Sequence, residues 1–457
     1  MRRSSIALLS SFCLMGSLLS GCNGTAPSGN PPTTASSFSD VQHVVVIYQE
    51  NWSFDAQYGS FPGASGVGLG TSVNQVNVNG TPLTSLPQAL DYNGNPDSRF
   101  PKSLPVKTYD TSSYVSPSGT TGDLVHRFYH EQLQIDGGKM DKFVAWSDNP
   151  GLVLSQYNLV ALNLPEVQLA GQFTLGDHMF HSAFGGSFLN HQYLICACAP
   201  RWPNAPANYI SNPDPAHLND NKVTPDGYAV NTAYTVYNPH PSGIATSNLV
   251  PPQTAPTIGD RLSAANISWK WYSGGWNNAL AGNPDPNFQF HHQPFAYYKN
   301  FADGTAAKAA HLQDEQNFLA DVNNGNLPAV SFIKPIGENN EHPGYASILA
   351  GQQHVVSLVN AIKNSKYWNN TVIIITFDEN GGRWDSVAPP VIDRWGPGTR
   401  VPLIIVSPLA KKYFVDHTQY ETDSILAFIE KRFNLKPLGS RDAAANPFSN
   451  AFTFSIP

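Results

Sequence analysis

Four stretches of the chain, residues 41–48, 329–333, 371–377 and 401–406, are dominated by apolar, largely β-branched side chains. Runs of this kind have no polar face, as expected of strands buried on both sides in a mostly parallel sheet with helices on both faces. Between the second and third runs the period changes. Val355, Leu358, Val359 and Ile362 recur at i, i+3, i+4 and i+7, one stripe of a helix. Strand, helix, strand is the βαβ unit, so the predicted class is α/β. A last amphipathic helix is predicted from Asp423, with Ile425, Phe428, Ile429 and Phe433 facing inward. Residues 204–286, dense in Asn, Pro, Gly and Thr, read as a loop-rich insertion of loops and short strands flanking a site.

The amino terminus reads as an address. Met1-Arg2-Arg3 is basic, residues 6–19 are apolar, and Leu19-Ser20-Gly21-Cys22 follows. The apolar part is shorter than the about 20 residues of a spanning helix, so the pattern is that of a secretory signal. The tetrapeptide resembles the lipobox of bacterial lipoproteins, which implies cleavage before Cys22 and a lipid on its sulfur. With Asn23 in place of an aspartate, that resemblance favours a periplasmic or outer-membrane lipoprotein held to the membrane through Cys22. The expected organisation is a signal peptide over 1–21, a lipidated start and flexible tether over 22–39, and one domain over 40–457. Once Cys13 leaves with the signal, the body keeps only Cys196 and Cys198, which are read as buried apolar residues rather than a bridge.

Composition narrows the function classes. The 457 residues carry 26 Lys+Arg against 33 Asp+Glu, and 13% are charged where about 25% is ordinary. A net charge of −7 without any basic run excludes a surface built to track a nucleic-acid backbone. The 41% hydrophobic content supports a large packed core. Oligomeric state is not legible.

In an open parallel sheet, ligands sit beyond the carboxyl ends of the strands. Two apolar runs end alike there: one passes into Gln49-Glu50-Asn51, the other into Asp378-Glu379-Asn380-Gly381-Gly382. Two carboxylate-plus-amide clusters on one edge repel each other unless positive charge lies between them. The economical answer is a divalent cation, and oxygen donors suit hard Ca²⁺ or Mg²⁺ better than Zn²⁺. Gly185-Gly186-Ser187 offers a hydroxyl on a tight turn, which such a cation would activate as a nucleophile.

The segment 41–55, with Gln49-Glu50-Asn51-Trp52-Ser53-Phe54-Asp55, and the following Tyr58-Gly59-Ser60-Phe61-Pro62-Gly63 resemble the opening motif of the bacterial acid phosphatase and phospholipase C family. Gly138-Lys139-Met140-Asp141, residues 187–190, Glu341-His342-Pro343, residues 377–382 and Gly396-Pro397-Gly398 continue the likeness in the family's order. The resemblance implies a fold like the alkaline phosphatase superfamily. It implies one cation held by Glu50, Asn51, Asp378, Glu379 and Ser187, with Ser187 as nucleophile. His342 would protonate the leaving group, His291 and His292 would lie near the phosphate, and Lys139 and His126 are weaker candidates for phosphate contacts.

Trp52 and Ser386 depart from residues common in the phospholipases and are expected to alter the rim of the pocket. The chain stops soon after its last helix, where phospholipases commonly carry extra domains, which favours the acid phosphatase branch. The expected activity is hydrolysis of phosphomonoesters through a phosphoserine, at mildly acidic pH if the histidine acid keeps an ordinary pKa. The alternatives are a phospholipase C acting on phosphatidylcholine-type lipids and a non-catalytic lipoprotein that binds phosphorylated ligands.

Overall fold

The structure, a computed structural model, describes residues 36–456. The signal, Cys22 and the tether as far as residue 35 lie outside the described residues. Eight strands form the central sheet: β1 (His43–Gln49), β2 (Thr174–Gly176), β3 (Trp269–Ser273), β4 (Leu312–Asp314), β5 (Val330–Lys334), β6 (Thr371–Phe377), β7 (Leu403–Val406) and β8 (Phe414–Asp416). Their spatial order is β8-β2-β7-β6-β1-β5-β3-β4. All neighbours run parallel except β7, which is antiparallel to both β6 and β2.

Six helices matter for the site: α1 (Phe54–Tyr58), α2 (Phe128–Ile135), α3 (Pro165–Gln172), α4 (Ser187–Cys196), α5 (Ile348–Lys363) and α6 (Asp423–Phe433). α3 packs on α5 and α4 on α6. Alternation along β1 shows that these pairs cover opposite faces. Tyr48 reaches α4, its hydroxyl donating to the Asn190 carbonyl at 3.4 Å, whereas the next residue, Gln49, donates to Glu341 Oε1 at 3.3 Å on the α3 and α5 side. Every residue of β5, β6 and β7 is buried, which explains the missing polar period. The predicted stripe of α5 is fully buried as well. Among the described residues no helix is long and apolar enough to cross a membrane.

Three expectations change. The segment 204–286 is not only an insertion, because it contains β3, which pairs with β5 in the central sheet. Trp269, Trp271 and Tyr272 supply its apolar surface, and an aromatic strand does not stand out by β-branched composition. The tether ends earlier than composition suggests, since Phe38 packs on Phe428 with ring centroids 5.4 Å apart. Cys196 and Cys198 are joined by a disulfide. Ala197 between them caps α4 in the left-handed region, at φ 49°, and that turn brings the two Cα atoms to 5.1 Å.

Because Ile374 is fully buried in β6 between β1 and β7, Ile374→Ala is expected to lower stability by about 2–5 kcal/mol. Urea unfolding of the two proteins checks this.

Candidate active site

β1 and β6 run in register, Tyr48 beside Thr376 and Gln49 beside Phe377, so the residues leaving both strands emerge at one edge. Asp378 Oδ1 accepts the backbone N–H of Asn51 at 3.1 Å and that of Glu379 at 2.8 Å. Asn51 turns the chain at φ 65°, a conformation asparagine tolerates better than most side chains. Gly185, at φ 84°, lies so close to the backbone of Arg127 and Phe128 that a side chain has no room. That approach sets Ser187 at the first residue of α4, where its hydroxyl donates to Glu50 Oε2 at 3.0 Å. Chemistry from three distant parts of the sequence thus meets at the amino terminus of a helix, where positive potential favours anions.

The predicted histidines gather around this centre. His292 Nε2 lies 3.1 Å from Glu50 Oε1, and His291 packs on His292 at 4.5 Å between ring centroids. His342 and His126 each bond a backbone carbonyl through Nδ1, so that both Nε2 atoms converge on Asn51 Nδ2, at 3.0 and 3.3 Å. Lys139 is elsewhere, exposed and paired with Asp136 at 2.9 Å, so it is not a phosphate contact. Trp52 is buried, its Nε1–H bonded to the Glu341 carbonyl, and Ser386 packs beside Asp55 and Arg400. Neither lines the cleft, so the expected change at its rim does not arise from them.

Two further residues complete the centre. Lys334, at the end of β5, is fully buried and pairs with Glu50 Oε1 while donating to the Tyr48 carbonyl at 3.0 Å. The strand-end rule that singled out Glu50 and Asp378 also points to it, because Lys334 directly follows an apolar run. His191, one turn along α4 from Ser187, donates from Nδ1 to the Ser187 carbonyl at 2.7 Å and stacks on His292 at 4.8 Å. Only its i+4 spacing from Ser187 could have signalled it.

Burial dominates the electrostatics. It pushes Asp378 up to about 7, with the negative charge of Glu50 adding to the effect and Lys334 opposing it. Glu379 is raised by burial and then by Asp378. Burial also pulls His342 below its ordinary value, so the acid role cannot rest on an unperturbed histidine. His291 falls to about 3 through burial and the nearby Lys334. Three buried carboxylates therefore face one lysine and neutral imidazoles. Asn51 Oδ1, Asp378 Oδ2 and Glu379 Oε1 are buried acceptors without a hydrogen-bond donor. Acceptor-only atoms left in this way beside excess negative charge fit a metal ion.

The centre opens into a cleft of about 800 Å³. Asp91, Asp123 and Asp148 stand on its walls with Tyr92 and Tyr345, and Ser187, His126 and His342 reach it from below.

The sequence profile of the Phosphoesterase family matches residues 41–436. The chain belongs to the phosphoesterase family. Among the relatives of this phosphoesterase, the non-hemolytic phospholipase C of Pseudomonas aeruginosa is 25% identical over 92% of this chain and 58% of its own length. Phospholipase C B of Mycobacterium tuberculosis is 25% identical over 92% of this chain and 79% of its own. The chain thus spans little more than half of the Pseudomonas relative. Similar solved structures include an alkaline phosphatase superfamily protein from Vibrio parahaemolyticus, with 12% identity, TM-score 0.33, and coverage of 58% of this chain and 59% of that one. Murine ectonucleotide pyrophosphatase/phosphodiesterase 5 gives 10% identity and TM-score 0.35, covering 63% of this chain and 96% of that one.

A cation entering this centre competes with the proton on Asp378. Below about pH 7 that proton has to be expelled. Because Glu379 also has to give up a raised proton, affinity for Ca²⁺ or Mg²⁺ is expected to fall by about tenfold or more for each pH unit below that point and to change less steeply above it. Titration calorimetry of metal-stripped protein across this range checks it, and a pH-independent affinity contradicts it.

Proposed function

We propose that this phosphoesterase hydrolyses phosphoesters through a phosphoserine on Ser187, with one hard divalent cation, Ca²⁺ or Mg²⁺, held by Glu50, Asn51, Asp378 and Glu379. The observation that carries the reading is the Ser187 hydroxyl 3.0 Å from Glu50 Oε2, beside the orphaned oxygens of Asn51, Asp378 and Glu379. When bound, the cation lowers the proton affinity of the hydroxyl and offsets charge on the phosphoryl oxygens.

The residues supply the rest. Glu50 receives a hydrogen bond from Ser187, which aligns the serine oxygen for attack on phosphorus, and would take the hydroxyl proton as the new oxygen–phosphorus bond forms and the bond to the leaving oxygen breaks. The first turn of α4 faces the phosphoryl oxygens with its positive end. His342 Nε2, which reaches the cleft, would take a proton from solvent as the bound phosphate dianion restores the basicity that burial removes. It then passes the proton to the departing oxygen. Water attacks the phosphoserine with the same groups in reverse. His126, His291 and His292 crowd the phosphoryl position, excluding water and fixing its orientation.

Which ester is cleaved depends on the outer cleft. The acid phosphatase reading needs only a small leaving group. The phospholipase C reading is favoured by the relatives of that name and by three aspartates beside two tyrosines on the cleft wall, chemistry that suits a cationic headgroup. The lipobox resemblance at residues 19–22 adds an exported lipoprotein near a membrane to that reading.

Ser187→Ala is expected to lower phosphate release from an aryl phosphate about a thousandfold or more. Unchanged turnover removes Ser187 as the nucleophile. Parallel rates on the aryl phosphate and on phosphatidylcholine vesicles decide between the two esters.

A further inference from the structure

Behind the active site, on the opposite face of the sheet, is a second group of buried carboxylates that the chemistry above does not use. Glu166 on α3 and Glu341 are both fully buried. Burial raises the hold of both on a proton, and the charge of Glu166 adds to the rise at Glu341, so the two carboxyls lie near one another. Glu341 Oε1 accepts from Gln49 Nε2 at 3.3 Å and Oε2 from Gln57 Nε2 at 3.0 Å, while Gln352 on α5 accepts the backbone N–H of Glu166 at 3.2 Å. Tyr58 is close enough to both glutamates for their charge to raise its pKa, after burial itself.

The hydrogen bonds of this group do not balance. Gln49 Oε1, Gln57 Oε1 and both oxygens of Glu166 are buried acceptors with no donor, against Tyr58 Oη and Gln352 Nε2 as unpaired groups able to donate. Gln49 is 0% and Gln57 2% exposed, and the amide group of each is already at Glu341. In the observed positions neither Tyr58 Oη nor Gln352 Nε2 reaches an acceptor, and protons on the two glutamates would add at most two donors for these four oxygens. Glu341 is also held at φ 70°, a conformation a non-glycine residue seldom keeps without a local reason. Gly351 on α5 leaves the space its side chain enters.

We propose that Gln49, Gln57, Glu166 and Glu341 form an interior site for a hard divalent cation of the Ca²⁺ type, separate from the catalytic one. Two carboxylates match the charge of such an ion, and all four side chains supply oxygen, its preferred donor. The two ends of a glutamine amide exchange by rotation about its last torsion, so turning Oε1 inward needs no backbone movement. Alternation along β1 gives the site its role. Gln49 ends the strand on this face, the next residue Glu50 points to the other, and Glu341 directly precedes His342. An ion here holds both catalytic segments from behind.

The test counts metal per chain by elemental analysis of purified full-length protein after dialysis against a weak chelator in the presence of Ca²⁺. Wild type is expected to carry one equivalent more than Glu166→Gln, and Glu166→Gln to melt at a lower temperature that no longer rises with added Ca²⁺. Equal metal content in the two proteins overturns the site and leaves a proton-sharing carboxyl pair with buried water. Should Glu166→Gln fail to fold, Gln57→Leu keeps both carboxylates and removes one oxygen. It is expected to lose one equivalent at a chelator concentration that wild type resists, and identical retention overturns the proposal. Asp378→Asn separates the two centres, since it should bring down only the catalytic equivalent; a chain it leaves metal-free speaks against an interior ion.

Discussion

A carboxylate that closes behind a protein surface has to find positive charge, and the edge where β1 and β6 end is organised by that need. Glu50, Asp378 and Glu379 are all fully withdrawn from water, and each taken alone is a cost of several kcal/mol. Lys334 meets Glu50 directly and lowers the burden on Asp378. The deficit that remains falls on acceptor atoms that no donor reaches, and a metal ion is what such a set of oxygens binds. The surrounding histidines are held down by burial, joined at His291 and His292 by the positive charge of Lys334, and at His342 burial outweighs the pull of Asp123 and Asp378.

The period of a β-strand carries this arrangement to both faces of the sheet. Tyr48 and Glu50 share the face of α4 and Ser187, while Gln49 between them enters the polar group around Glu341. A one-residue slip of β1 would exchange these roles and dismantle both groups together. The parallel register with β6 and β5, set by buried Val and Ile pairs, is therefore as much a part of the site as its ligands are.

Much of this could be read from the chain, and the limits have physical causes. The strands rich in Val and Ile declared themselves, and the strand-end rule led to Glu50 and Asp378. β3 was hidden because Trp and Tyr bury surface without the β-branched pattern. The short strands β2, β4 and β8 hold three residues each, too few for any period to show. Lys334 does not stand out, because a lone basic residue at a strand end creates no like-charge repulsion that calls for a ligand. Lys139 drew attention through its motif, but a lysine next to Asp136 has a nearer partner than a phosphate. The disulfide depended on a left-handed turn at Ala197, which spacing alone does not reveal. Glu166 was invisible for a different reason: its partners come from four other segments, and nothing local marks it.

Asn51 and Asp378 touch although 327 positions separate them along the chain. No nascent amino-terminal fragment can hold both halves of the centre, and a collapsed chain without the β1 and β6 pairing has no centre at all. Capture of an ion at this centre would thus be confined to the finished molecule, and by mass action its binding would draw the population toward that state. The catalytic metal would serve as a late lock on assembly, selecting completed chains from incomplete ones before any substrate is met.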